Sequence, residues 1–228
     1  MRYVGGKHRI AKQLAGSILP HVRGRRLIEP FCGGLSATVS LQPDVASDAS
    51  ETLIKLIMAV RCGWEPPTHV SEFDYNAAKG TGTEMEAFCG HCMSFGGKWW
   101  GGYARESGRN FALQGRNALL RKVEATRAVA FSCQSYDAYR PAPGDVFYCD
   151  PPYRGVTNGY ATGPFDSDAF WDWVRVGAQR GALMFVSEFQ GPDWATVHAE
   201  FSSRTDLRKR DAGQQKTIEK LYAVGDLT

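Results

Sequence analysis

At 228 residues, the chain has room for one large domain, or for one domain that carries an insertion. A hydrophobic fraction of 43% and a charged fraction of 22% are those of an ordinary folded protein, which excludes a disordered or fibrous chain. The net charge of +3 is compatible with a polyanionic partner but does not require one. No run approaches the roughly 18 apolar residues of a membrane span, and Met1-Arg2-Tyr3-Val4-Gly5-Gly6 lacks the apolar core of a signal peptide. A cytoplasmic protein without membrane contact is therefore expected.

In chain order, Ile10, Leu14, Ile18 and Leu19 form a helical stripe over residues 7–19, ended by Pro20. Arg26-Leu27-Ile28-Glu29-Pro30 reads as a strand, Phe31-Cys32-Gly33-Gly34 as a tight loop and residues 35–41 as a short helix. Val45-Ala46-Ser47-Asp48 is a second strand, ending in an acid, and an apolar helix follows over 51–61. Strand, glycine loop, helix, strand and acid make the start of a Rossmann-like sheet. From 63 to about 117 regularity fades into glycines, Trp64, Trp99, Trp100 and scattered Lys and Arg. This predicts an irregular, aromatic and basic insertion, with a helix over 114–124. Strands are then expected over 128–133 and 146–149, a helix over 168–178, and strands over 183–187 and 218–224, the last closing the sheet.

The tetrad Asp150-Pro151-Pro152-Tyr153 follows the apolar strand Val146-Phe147-Tyr148-Cys149. It therefore sits at the carboxyl edge of the sheet, where open α/β folds place ligands. Asp150 can accept a hydrogen bond from an exocyclic amine, two prolines leave nearby carbonyls free to accept, and Tyr153 offers a stacking face. Alone, the tetrad reads equally well as a strand followed by a Pro-Pro turn. Gly33 and Gly34 allow a ligand to approach the backbone closely, and Asp48 lies where an acid usually grips ribose hydroxyls. No Walker lysine-threonine pair is present, which argues against phosphoryl transfer.

Six cysteines, Cys32, Cys62, Cys89, Cys92, Cys133 and Cys149, should be reduced in a cytosolic chain. Cys133 and Cys149 lie in strand-like runs and read as core filler. Cys89-Gly90-His91-Cys92 resembles a redox motif, but Ser94, Gly96 and Gly97 break the helix such a motif needs. With no second C-x-x-C pair, no metal site is expected. Basic clusters occur at Lys7, His8, Arg9 and Lys12, at Arg23, Arg25 and Arg26, and at Arg204, Arg208, Lys209 and Arg210. Such clusters are most often solvated faces.

Taken together, Arg2-Tyr3-Val4-Gly5-Gly6-Lys7, Glu29-Pro30-Phe31-Cys32-Gly33-Gly34 and Asp150-Pro151-Pro152-Tyr153, in this order, resemble the Dam-like DNA adenine-N6 methyltransferases. Ala46-Ser47-Asp48-Ala49 and Lys216-Thr217-Ile218-Glu219-Lys220-Leu221 extend the likeness over almost the full chain. The resemblance implies an α/β Rossmann-like methyltransferase sheet, mostly parallel with helices on both faces. It implies a catalytic domain over 1–62 and 125–228, with a target-recognition region inserted at 63–124. It implies S-adenosyl-L-methionine as cofactor and double-stranded DNA as partner, in a bacterial, phage or prophage type of protein. A monomer or weak dimer with no obligate protein partner is expected.

Carried over by position, Tyr3, Lys7, Glu29, Phe31, Gly33, Asp48, Ser135, Tyr136 and Asp150 are implied cofactor contacts. Asp150, Pro151, Pro152 and Tyr153 are the implied catalytic set. Asp150 and the Pro151 carbonyl would hold N6 of a flipped-out adenine, Tyr153 would stack on it, and Phe165 or Tyr160 would wall its other face. In the insertion, Lys98, Arg105, Arg109 and Arg116 are candidates for phosphate contacts or for reading guanine edges. The bland alternative is a small core of Trp99, Trp100 and Tyr103 with ordinary surface charges. Two other readings stay open: methylation of another exocyclic amine (DNA cytosine N4 or RNA guanine), and a protein that binds cofactor and nucleic acid without catalysis.

Overall fold

Leu27 and Ile28, Val146 and Phe147, and Leu183 and Met184 are adjacent apolar pairs. A strand sends neighbouring side chains to opposite faces, so both faces of these strands must be covered. The computed structural model describes residues 3, 5–154, 161–203 and 217–227 and has that layering. Strands β1 (Arg26–Glu29), β2 (Val45–Asp48), β3 (Ala130–Cys133), β4 (Asp145–Cys149) and β5 (Leu183–Glu188) run parallel. Two antiparallel strands, β6 (Thr196–Ser203) and β7 (Thr217–Val224), complete a seven-stranded sheet of order 3-2-1-4-5-7-6. This is the Rossmann-like, mostly parallel sheet expected from the sequence.

Helices α1 (Ala11–Ile18) and α2 (Thr38–Leu41) pack Leu14, Ile18 and Leu41 onto Leu27, Val146, Tyr148, Leu183 and Phe185. On the opposite face, α7 (Ser167–Gln179) packs Phe170 and Val174 onto Ile28, Phe147, Cys149, Met184 and Val186. The alternation along each strand divides the two clusters. Helix α3 (Glu51–Arg61) follows β2 and is capped by Ser50, whose hydroxyl accepts from Leu53 N.

The insertion departs from expectation: it is helical rather than irregular. It contains α4 (Glu72–Ala78), α5 (Glu84–Phe88), a π-helical turn at Cys89–Met93 and α6 (Phe111–Ala125). Local signals account for this. Ser71 and Asp74 form a capping box, Thr83 caps α5 and Asn110 caps α6. Val70, Tyr75, Ala87, Phe88 and Leu119 join one core with Leu53, Leu56 and Ile57 of α3. Trp100 and Tyr103 pack on Tyr75 at ring-centroid distances of 4.6 and 5.5 Å. Most of the insertion's aromatic residues thus belong to a core continuous with that of the sheet, while Phe73 and Phe95 are exposed.

Other differences are local. The helix expected over 35–41 begins only at Thr38, because Leu35 adopts a left-handed backbone (φ 59°) and prolongs the glycine loop. Strand β6, polar and shifted in register between Val197 and Ala199, was not expected, and β7 lies inside it rather than closing the sheet. Cys133 is exposed, not core filler, because β3 is an edge strand. Among the described residues, no helix is long and apolar enough to cross a membrane.

Leu14 is fully buried beneath α1. Leu14→Ala is expected to cost about 2–5 kcal/mol of unfolding free energy in urea, through lost transfer energy and a residual cavity. A loss below about 1 kcal/mol would show that α1 is loosely seated.

Candidate active site

The carboxyl ends of β1, β2 and β4 and the segment after β3 open into one cavity of about 250 Å³. Its walls include Tyr3, Lys7, Glu29, Phe31, Gly33, Asp48, Ser135, Tyr136 and Asp150, all nine positions singled out as cofactor contacts. Pro152 and Phe165 also line it. Pro151 is buried and, like Tyr153, lies outside the lining.

Asp48 ends β2 with its carboxylate clasped by backbone donors. Gly33 N donates to Oδ2 at 3.0 Å and Ser50 N to Oδ1 at 2.9 Å. Gly33 has φ 44°, and a Cβ there would sit 3.0 Å from the Tyr3 ring, so glycine is required both by backbone and by space. Burial pushes Asp48 up to about 6, with the two N–H donors opposing. Glu29, at the end of β1, is buried, and burial lifts it well above the carboxylate range. The neighbouring Thr38 hydroxyl opposes that rise, but no hydrogen bond of ordinary geometry reaches Glu29 Oε2 among the described residues. Such an atom, on a cavity wall, is suited to a cationic ligand group. Phe31 and Tyr136 stack at 5.6 Å, with Phe165 edge-on to both at 5.9 and 5.8 Å, giving the cavity a flat aromatic wall.

Asp150 leaves the end of β4 beside a buried lysine. Lys7 Nζ lies 2.7 Å from Asp150 Oδ1 and 3.4 Å from Glu219 Oε1, and donates to Gly5 O at 3.0 Å. Burial pulls Lys7 down, but the two carboxylates more than offset it and leave its pKa above the ordinary lysine value. Burial raises Asp150, and the Lys7 ammonium opposes that rise. Lys7 Nζ also sits 4.7 Å from the centroid of the Tyr153 ring. The Tyr153 hydroxyl is pushed well above its usual range, chiefly by burial and then by Asp150 and Glu219. Phe165 belongs to the Phe31–Tyr136 wall; Tyr160 lies outside the described residues.

Several residues of this neighbourhood carried no assignment in the sequence. Glu219 was only part of a resembling string. Glu188, at the end of β5, is buried; its oxygens accept from Phe189 N at 2.8 Å and Arg154 N at 3.3 Å, tying the exit of the tetrad to β5. Burial lifts it to about 7. Lys122 on α6 donates to Gly34 O and, at 2.9 Å, to Ser36 Oγ, bracing the glycine loop from behind. No local pattern announces the contacts of Glu188 with Arg154 or of Lys122 with Gly34 and Ser36, because each spans a long stretch of chain.

The insertion's basic candidates lie outside the cavity lining. Lys98 is exposed. Arg105 pairs with Glu72, Arg109 with Glu106 at 2.6 Å and Arg116 with Glu65 at 2.6 Å. The cluster at Arg204, Arg208, Lys209 and Arg210 lies outside the described residues.

No protein-family model matches the chain. The retron Ec67 DNA adenine methylase of Escherichia coli is 30% identical over 111 residues, which cover 45% of this chain and 39% of that relative. The chain thus spans well under half the length of the curated relative it matches. Among solved structures, the proposed methyltransferase yhhF of Escherichia coli overlaps at a TM-score of 0.42 and 11% identity, covering 96% of this chain and 87% of that one. The proposed methylase HI0767 of Haemophilus influenzae gives a TM-score of 0.38 at 11% identity, over 97% and 91% of the two chains. Likeness at these TM-scores carries no functional weight.

Burial pushes the Cys89 and Cys92 thiols up to about 12, whereas Cys62 and Cys133 are exposed. A redox pair needs an accessible thiolate. With a thiol reagent at pH 8, Cys62 and Cys133 are expected to react at once, and Cys89 and Cys92 only on unfolding. Rapid labelling of Cys89 in the native protein would reverse this reading.

Proposed function

We propose that the protein is an S-adenosyl-L-methionine-dependent methyltransferase that methylates N6 of a flipped-out adenine in double-stranded DNA. The observation that carries the reading is one cavity shared by Asp48, the glycine loop and the lysine-paired Asp150. The 30% identity with a DNA adenine methylase over 111 residues supports the choice of base. The cofactor supplies a methyl group already activated on a sulfonium.

The cavity residues fit such a group. Asp48 would accept from ribose hydroxyls, and the unpartnered Glu29 oxygen would take an ammonium. Tyr3, Phe31 and Tyr136 offer ring surface for an adenine. The amine of the target base is a poor nucleophile, because its lone pair is delocalised into the ring. Asp150 would accept from that amine, localising the lone pair and stabilising charge that develops on nitrogen. Lys7 serves this step by favouring the ionised form of a carboxyl that burial otherwise disfavours. Pro151 would offer its carbonyl to the same amine, and Pro152 stiffens the turn. Tyr153 would pack against the base, which must leave the duplex to be reached.

The catalytic body comprises 1–62 and 125–228, and 63–124 is the recognition region. Lys98 would contact phosphate. Arg105 and Arg109 sit in exposed pairs that contribute little to stability, so each can exchange its glutamate for a phosphate at small cost, whereas Arg116 is more buried, is anchored to Pro66 O at 2.8 Å, and would reach a phosphate from that fixed position.

Methyl incorporation into unmethylated DNA is expected to fall by at least about a hundredfold in Asp150→Ala. Nucleoside digestion of the wild-type product should yield N6-methyladenine. Turnover by the variant at the wild-type rate would sink the catalytic assignment, and N4-methylcytosine in the digest would replace the base.

S-adenosylhomocysteine affinity should weaken as pH is lowered through about 6. Protonation of Asp48 there replaces an acceptor with an O–H and removes its charge. Titration calorimetry between pH 5 and 8 reads this directly. A flat profile would remove Asp48 as the ribose-holding acid.

A further inference from the structure

Cys89-Gly90-His91-Cys92 is used by no step above. It forms most of the π-helical turn between α5 and Ser94, where one wide turn displaces the helix face. Its residues are buried, and His91 is 3% exposed. Burial pushes His91 down to about 3, so its imidazole is neutral at every physiological pH.

Two chains of contact run from this imidazole to the cavity. Along the first, His91 Nε2 lies 3.0 Å from Thr52 Oγ1, and Thr52 Oγ1 lies 3.3 Å from Ser50 Oγ. Ser50 caps α3 and donates its backbone N–H to Asp48 at 2.9 Å. Along the second, the His91 ring is 6.0 Å from Tyr3, tilted by 30°, and Tyr3 packs against Gly33. Behind His91, the Trp99 ring lies 4.5 Å away. Trp99 comes so close that a Cβ on residue 90 would fall 2.1 Å from its ring, which explains the glycine. Trp99, His91 and Tyr3 thus form a ladder of rings from the insertion to the glycine loop.

We infer that His91 is a positioning residue for the cofactor cavity, setting Asp48 through Thr52 and Ser50 and setting Tyr3 by ring contact. The C-x-x-C spacing is incidental: Cys89 and Cys92 fill the core on either side of Gly90 and His91. The inference rests on the reading of this cavity as an S-adenosylmethionine site.

The test is calorimetric binding of S-adenosylhomocysteine to the full chain without DNA, with thermal unfolding of each unliganded protein alongside. Thr52→Val is nearly isosteric at a half-buried position and removes only the hydroxyl. His91→Phe keeps a ring against Tyr3 and removes the hydrogen bond. Each is expected to raise the dissociation constant about fivefold, the worth of one part-buried hydrogen bond. The double variant should bind no more weakly than either single one, because both break the same link. A purely structural role would lower the unfolding midpoint and leave the dissociation constant within twofold of wild type in Thr52→Val, and that result overturns the inference. Wild-type protein that takes up no S-adenosylhomocysteine overturns the cofactor reading and the inference with it.

Discussion

One buried ammonium organises the site. Lys7 is 5% exposed and lies between Asp150 and Glu219. Two carboxylates without it would repel each other in a region that burial already makes hostile to charge. A lysine without them would be pulled down by the same burial. The arrangement is stable only as a set, and removing one member of a buried pair costs about 3–5 kcal/mol, much of it from the charge left behind. The tetrad's acid is thereby fixed in place before any ligand arrives, beside an ammonium that favours its charged form against the burial that disfavours it, which is the condition for electrostatic preorganisation.

The sheet makes this set possible. Parallel strands deliver Glu29, Asp48 and Asp150 to one edge because each ends there. Glu219 reaches the same edge only because β7 runs the other way, with Lys220 opposite Glu188. A parallel β7 would have put the start of the strand at the opposite edge. The reversal of a single strand is thus part of the chemistry.

Most of the sheet was legible, because its strands are short apolar runs that end in punctuation: Pro30 after β1, Asp48 as the last residue of β2, Pro151 just beyond β4. Gly33, Asp48 and Asp150 stand out as glycine and acids at strand ends, but each also fits a plain turn, and Tyr3, Lys7, Glu29, Phe31, Ser135 and Tyr136 were reached only through the family resemblance. Strand β6 was not, since an edge strand with one solvated face lacks a continuous apolar signal. The insertion misled for a different reason. Its glycines, at 80, 82, 96 and 97, punctuate short helices, but a reading by composition merges them into one irregular stretch. Lys122, Glu188 and the link from His91 to Asp48 depend on packing between distant segments, and no local period encodes that.

Lys7 precedes the first helix and Glu219 lies in the last strand of the sheet. Their contact exists only once β7 has paired with β5. During synthesis on the ribosome, a nascent chain that has displayed the glycine loop, Asp48 and the tetrad still lacks the second carboxylate around Lys7. Contacts this distant in sequence carry a large loop-closure cost and belong to the slow end of folding. The charge balance at Asp150 is therefore a property of the finished sheet, absent from any stage at which β7 has not yet joined it.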